Sequence, residues 1–233
     1  MEVVKTMIHM FDDITYSLIR SDRKTISIYV EPDGSIIVRA PEKISVDKVN
    51  GILDLKRFWI YKSLTEFQEL NHTKVKRKVA SGEGFLYLGK NYRLKIDKDR
   101  EKPLSLAQGY FLLDENHILR AREHFINFYK EKGKKHIPTR VDYFKKKIGV
   151  EPKNIVLREL KNRWASRSKT ALNFHWKVML APMSIVDYII VHELAHYLKK
   201  NHSSEFWEIV ESVMPNYIEK KNWLRLNGAN LDI

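Results

Sequence analysis

The chain has 233 residues, 43% hydrophobic and 11% aromatic, enough for one large domain or two small ones and too apolar for a disordered or collagen-like chain. Its 42 Lys and Arg against 29 Asp and Glu leave a net charge of +13, a balance that favours nucleic acid or other anionic partners without naming one. The lack of cysteine excludes disulfide scaffolds, Cys-ligated zinc or iron–sulfur sites and cysteine nucleophiles; with no run of about eighteen apolar residues and no secretory pattern at Met1-Glu2-Val3-Val4-Lys5, the expectation is a soluble, cytoplasmic protein with no membrane partner.

The first third reads as strands. Thr25 to Val30 alternates, Glu31-Pro32-Asp33-Gly34 is a turn, and Ser35 to Arg39 alternates again, which predicts a hairpin ended by Pro41. From Ser45, a plausible N-cap, to about Leu70 the apolar spacing is helical through Val49, Ile52, Leu53, Phe58, Ile60, Leu64 and Phe67. A second hairpin pairs Phe85 to Leu88 with Tyr92 to Ile96 across Gly89-Lys90-Asn91, and Leu112-Leu113 can belong to the same sheet. The two hairpins are unlike in sequence, so no internal repeat is read.

The character changes after a polar stretch from Lys98 to Lys102. Asp114 to about Lys132 has helical spacing with Gly133 as its stop, and Thr139 to Lys147 is a second, shorter helix ended by Gly149. Ile155 to Leu160 and Ala171 to Val178 read as strands. This places a β-rich N-terminal domain at 1–105 and a second domain at 106–233. The densest basic stretch is Lys130, Lys132, Lys134, Lys135, Arg140, Lys145, Lys146 and Lys147, diluted by Glu131 and Asp142. The solvated faces of two helices explain it better than a polyanion contact, the functional alternative, does.

The sharpest feature is His192-Glu193-Leu194-Ala195-His196. Positions four apart on a helix point the same way, so two imidazoles can bind one cation, and the intervening Glu can take a proton from zinc-bound water. A helix is well marked: Pro182, Ser184 as N-cap, Asp187 closing a capping-box-like contact, Ile185, Ile189 and Val191 inside, and Asn201 as the stop. A hydrolytic zinc takes three protein ligands and leaves one position open. His202, just past the stop, is the first candidate for the third, with Glu205, Glu208 and Glu211 as rivals on a helix capped by Ser203 or Ser204 and stopped by Pro215. His9, His72, His117, His124 and His136 have no ligand-like neighbours in sequence and read as ordinary histidines.

Asn173-Phe174-His175-Trp176, Ala181-Pro182, Asp187-Tyr188, His192 to His196, Asn201-His202-Ser203 and Phe206-Trp207 resemble the YgjP-like metal-dependent hydrolases, which are similar to the SprT and WLM zinc peptidases. The resemblance extends upstream through Arg23-Lys24-Thr25, Ala40-Pro41, Phe58-Trp59-Ile60, Tyr87 to Lys90 and Tyr92-Arg93-Leu94. It implies zinc ligands at His192, His196 and His202, with Glu193 as the catalytic base. The family tends to show Trp-Gly-Ser-Cys where this chain has Trp164-Ala165-Ser166-Arg167. That difference bears on substrate choice, because the segment is expected to border the cleft.

The combined expectation is an α+β protein. An N-terminal β-hairpin-rich region packs on one long helix, and a C-terminal zincin-like metallopeptidase domain uses strand Ala171 to Val178 to flank the cleft. The expected activity is zinc-dependent peptide or protein hydrolysis by a Glu-activated, zinc-bound water. The alternatives are a metal-dependent nucleotide pyrophosphatase and a DNA-associated, SprT-like protease making non-specific nucleic-acid contact through its basic surface. Tyr188 and His175 are candidates for stabilising an oxyanion, against core packing for both. Trp164 and Trp176 read as core.

Overall fold

In the computed structural model, which describes residues 6–31, 33–72, 77–160, 163–168 and 171–233, main chain alone at 6 and 69–72, two four-stranded sheets share one topology. In the first, β1 (Thr6–Phe11), β2 (Ile14–Ser21), β3 (Ser27–Val30) and β4 (Ile36–Pro41) lie in the order β1-β2-β4-β3. In the second, β5 (Gly84–Tyr87), β6 (Lys90–Asp97), β7 (Leu104–Ala107) and β8 (Tyr110–Asp114) lie in the order β5-β6-β8-β7. Each is two antiparallel hairpins joined through a parallel central pair, β2 with β4 and β6 with β8. The repeat is one of topology, invisible in the sequence because different residues satisfy the same alternation. Both predicted hairpins are present, as β3–β4 and β5–β6. Gly34 takes the positive φ its turn requires, and the Asp33 carboxylate accepts the Ser35 N–H at 2.9 Å. Pro32 of that turn, Met1 to Lys5 and the side chain of His72 lie outside the described residues.

The chain divides into compact units at Met1–Lys74 and Val75–Ile233, not at residue 105. The reason is the core: Phe85, Tyr87 and Leu94 of the second sheet are buried with Phe111, Phe125 and Tyr129, in one cluster with Trp176 and Ile190. In the first unit, the helix expected from Ser45 to Leu70 is two, α1 (Val46–Leu55) and α2 (Arg57–His72). Ser45 is the N-cap as predicted, accepting the Lys48 N–H at 3.3 Å. At the break, Arg57 pairs with Asp54 at 3.1 Å and with Asp13 of the β1–β2 turn at 3.2 Å. Val49, Leu53 and Ile60 from the two helices are buried with Tyr16, Leu18 and Val38 of the sheet.

The second unit is built on one long helix, α3 (Ala121–Ile148), where the sequence suggests two. Gly133 is not a stop. It lies in the buried stripe Ala121, Phe125, Tyr129, Gly133, Ile137, Val141, where a Cβ would fall 2.0 Å from Leu157 Cδ2. Gly133 therefore admits a neighbouring strand, and burial of the stripe outweighs both its helix propensity and the missing N–H of Pro138. Gly149 ends the helix with φ 76°, as expected.

The third sheet has three strands, β9 (Ile155–Arg158), β10 (Ala165–Arg167) and β11 (Leu172–His175), in the order β10-β11-β9. The strand expected over Ala171 to Val178 gives way at Trp176 to a 3₁₀ turn through Leu180. Because β11 is the middle strand, the sheet's two edges are β9 and β10, and β10 is a strand that the sequence reading missed. Helices α4 (Met183–Ala195), α5 (Ser204–Val213) and α6 (Tyr217–Asn227) complete the unit. Among the described residues no helix is long and apolar enough to cross a membrane.

Candidate metal centre

Helix α4 is apolar on nearly every face, with Ile185, Val186, Ile189, Ile190, Val191 and Leu194 all buried, the pattern of a helix enclosed by the core. Its start differs from the expected capping box. Pro182 occupies the N-cap position, no side chain caps the helix, and Ser184 lies inside the first turn. Asp187 instead receives a two-pronged contact from Arg140 of α3, at 2.7 and 2.6 Å. The helix also ends earlier than Asn201. His196 is its C-cap, and the chain tightens into turns, with Tyr197 N–H on the Leu194 carbonyl at 2.9 Å and Lys199 N–H on that of Ala195 at 3.0 Å.

This reversal brings His202 back to His192 and His196. One ring nitrogen from each of the three lies within 4.8 Å of the others, and the Nε2 atoms of His192 and His202 are 3.0 Å apart. The rivals are not brought in: among the described residues no carboxylate joins the cluster, and Glu205 pairs with Lys199. Phe206 of α5 is fully buried and underlies all three rings, with centroids at 5.0, 4.6 and 4.8 Å from His192, His196 and His202. Trp207 stacks on His202 at 5.6 Å and on Tyr217 at 5.2 Å.

The three imidazoles fit a borderline-soft dication. Burial lowers the pKa of all three, that of His192 to about 3, and their mutual repulsion adds to it at His192 and His202, so each is neutral and offers a lone pair. The Nδ1 of His196 faces the Lys199 carbonyl at 3.1 Å, which places the proton there and leaves Nε2 free to ligate. The Nδ1 of His192 is buried with no hydrogen-bond partner among the described residues. Two neutral Nε2 atoms at 3.0 Å can share only one proton, whereas zinc–nitrogen bonds of about 2.0–2.1 Å accommodate nitrogens only slightly farther apart.

Glu193 lies in an environment different from that of the histidines. It is 9% exposed, and burial pushes its pKa up to about 7, opposed by the charges of Arg163 and Arg167 and by the Arg167 backbone N–H, which it accepts. The two oxyanion candidates part company. Tyr188 lies against His192, ring centroids 6.0 Å apart, with its pKa raised to about 12 by burial. His175 caps the 3₁₀ turn that precedes α4, its Nδ1 accepting the Lys177 N–H at 3.1 Å. Trp176 is fully buried, as expected.

The sequence reading missed α6, although Pro215-Asn216 before Tyr217, Lys221 and Leu224 carries a helix-start and spacing signal. It also missed Lys221 and Arg163, whose charges act on His192 and Glu193 respectively. Among the other histidines, His9 stacks on Tyr16, His117 meets His124 at 3.1 Å and His136 meets the Tyr87 hydroxyl at 3.1 Å.

Comparison with known proteins gives a family match and one solved structure. The family model described as YgjP-like, metallopeptidase domain, matches residues 24–227. The crystal structure of the metallopeptidase zymogen of Pyrococcus abyssi abylysin is similar at 27% identity, covering 38% of this chain and 90% of that chain with a TM-score of 0.35. No curated protein matches.

Proposed function

Because the chain belongs to the YgjP-like metallopeptidase family, we propose that it is a zinc-dependent peptidase with His192, His196 and His202 as ligands and Glu193 as general base and acid. The observation that carries this reading is the convergence of three neutral imidazole nitrogens within 4.8 Å, one residue along the chain from a buried carboxyl. An all-nitrogen set of three is a zinc set with one position left for water or substrate. Zinc held there supplies Lewis acidity toward a carbonyl oxygen and lowers the pKa of water toward about 7.

The protein's own groups do the rest. Glu193, poised near 7 by burial and drawn toward its ionised form by a neighbouring dication, takes the proton of the attacking water and returns it to the leaving amine. The Arg167 N–H fixes its carboxylate. His196 is oriented through the Lys199 carbonyl, and Phe206 and Trp207 hold the ring planes in place. A peptide lies along β10, an edge strand that delivers Arg167 to Glu193.

The test combines metal content with hydrolysis. Wild type should hold about one zinc per chain and cleave peptides. Glu193→Gln should keep the zinc and lose about 10²–10⁴ in rate, since the amide cannot accept the proton. Near-normal cleavage by Glu193→Gln would remove the base assignment. Full zinc occupancy in a His192→Ala/His196→Ala double variant would remove the ligands.

A further inference from the structure

Some cations of this protein are taken up by carboxylates and others are not. Arg57, Arg120, Arg122, Arg140, Lys145, Lys146, Lys177 and Lys199 all make ion pairs. Three exposed cations around the histidine cluster do not. Among the described residues Arg163, Arg167 and Lys221 have no ion-pair partner, although each is close enough to the centre for its charge to act there: Arg163 on Glu193, Arg167 on Glu193 and His196, Lys221 on His192 and His202.

Ring contacts place two of the three, Arg167 and Lys221. Arg167 sits on the edge strand β10, its backbone N–H on Glu193 and its guanidinium 4.9 Å from the Tyr197 ring. The Lys221 ammonium lies 4.2 Å from the ring of Trp207, which itself stacks on His202. Flat aromatic faces hold both cations without neutralising them, because a ring quadrupole attracts a cation but carries no net charge. The two groups address different members of the cluster, Arg163 and Arg167 the side of Glu193, Lys221 the side of His202.

Resting on the peptidase reading, we infer that Arg163, Arg167 and Lys221 form a carboxylate-selecting rim, so that the substrates of this centre are peptides bearing a carboxylate close to the scissile bond. Either an acidic side chain or a free C-terminal carboxylate supplies that chemistry. An arginine fork takes a carboxylate through two parallel N–H bonds, and the desolvation that accompanies substrate binding strengthens the contact. A basic residue at the same place meets three like charges and is rejected.

The experiment is cleavage of a proteome-derived peptide library by the zinc-loaded full chain, with cut sites mapped by mass spectrometry. One half of the library has free C-termini and the other amidated ones. Cuts should concentrate within about three residues of Asp or Glu, or of a free C-terminus, the amidated half showing which source acts. Arg167→Gln and Lys221→Gln, with zinc content and thermal midpoint measured on the same samples, should each lower the preference for acidic over amide peptides roughly tenfold. Arg167→Lys should restore part of it, and Arg167→Glu should lower it further than Arg167→Gln does. Zinc- and Glu193-dependent cleavage with no acidic preference, or with one that the variants leave unchanged, overturns the rim and leaves the peptidase reading intact. Absence of any Glu193-dependent cleavage overturns both. If the Gln variants instead lose affinity for a single-stranded oligonucleotide while the cleavage pattern stays as in wild type, the three cations serve phosphates and the inference fails.

Discussion

Gly89 lies so close to Pro182 that a Cβ on it would fall 2.7 Å from Pro182 Cγ and 3.0 Å from its Cα. The contact joins the tip of the β5–β6 hairpin to the residue that begins α4. Leu88 and Gly89 also donate their N–H groups to the Met179 and Leu180 carbonyls, at 2.8 and 3.0 Å. The hairpin thereby sets the origin of the helix that carries His192 and His196. Gly89→Ala should cost stability twice, through its φ of 77° and through a clash with a ring and main chain that cannot rotate away. Gly109→Ala is the control, since its φ is 79° and nothing lies within 4 Å of the added Cβ. The control should lose about 1–2 kcal/mol, and Gly89→Ala distinctly more, with weakened zinc retention as well. Equal losses in denaturant titrations would show that the contact with Pro182 carries no weight.

Arg140 and Asp187 tie α3 to α4 through two charge-assisted bonds, and the Asp187 side chain is only 13% exposed. A double-mutant cycle with Arg140→Met and Asp187→Asn should give a coupling of about 1–3 kcal/mol, because removal of either partner strands the other at a partly dry interface. Additive single-variant losses would reduce the pair to a surface contact.

These two contacts also mark what could be read from the chain and what could not. His192 and His196 were legible because a four-residue spacing is a property of one helix. His202 was nearly so, since only a short reversal after the helix separates it from them. The partner of Asp187 was not legible: a nearby Ser184 offered a local cap, and Arg140 lies 47 residues upstream. Gly133 misled for a similar reason. As a residue it weakens helices, and its value lies in admitting Leu157 from another element. The division at residue 105 followed a change in local pattern, whereas the core groups Phe85 and Leu94 with the helices that come after them.

His175 gives the stability a pH dependence of known sign. It is 7% exposed, and burial, assisted by the Lys177 charge, lowers its pKa to about 4 from an ordinary 6.5. Between those values the unfolded chain binds the extra proton, so the contribution is fully present above pH 6.5 and is lost as pH falls toward 4. At about 1.4 kcal/mol per unit, the loss amounts to at most ~3 kcal/mol. In His175→Asn the amide oxygen can accept the Lys177 N–H in place of Nδ1, without a titrating group. Denaturant titrations from pH 7 to 4.5 should show the variant losing less stability than wild type by about 2 kcal/mol. Parallel curves would mean that His175 is protonated as easily folded as unfolded.

The basic run from Lys130 to Lys147 is less available to a polyanion than its sequence suggests. Lys134 pairs with Glu131, Arg140 with Asp187, and Lys145 and Lys146 with Asp142. Lys130, Lys132, Lys135 and Lys147 have no ion-pair partner among the described residues. If this run is the nucleic-acid contact we propose from the charge, binding to duplex DNA should be weak and sequence-independent. Lys130→Glu with Lys135→Glu should then flatten the salt slope by about 1.8, at 0.9 per phosphate contact. An unchanged slope would place any DNA contact elsewhere on the surface.

The assignment of the third ligand rests on His202 and can be separated from its rivals. The chain reaches His202 through turns closed on Leu194 and Ala195, and Lys199, within those turns, pairs with Glu205 at the start of α5. Glu205 therefore helps shape the loop but contributes no atom to the cluster, and its exposed ion pair has little energetic weight. His202→Ala should cut zinc affinity by more than about 100-fold, beyond what loss of a supporting hydrogen bond costs. Glu205→Ala and Glu208→Ala should leave it within a few-fold of wild type. The measurement is competition for zinc against a calibrated chelator, with folding followed by circular dichroism on the same samples. Normal affinity in His202→Ala together with a large loss in Glu208→Ala would transfer the third ligand to α5. Loss in Glu205→Ala comparable to that in His202→Ala would show that the Lys199 pair, and not the imidazole alone, holds the centre together.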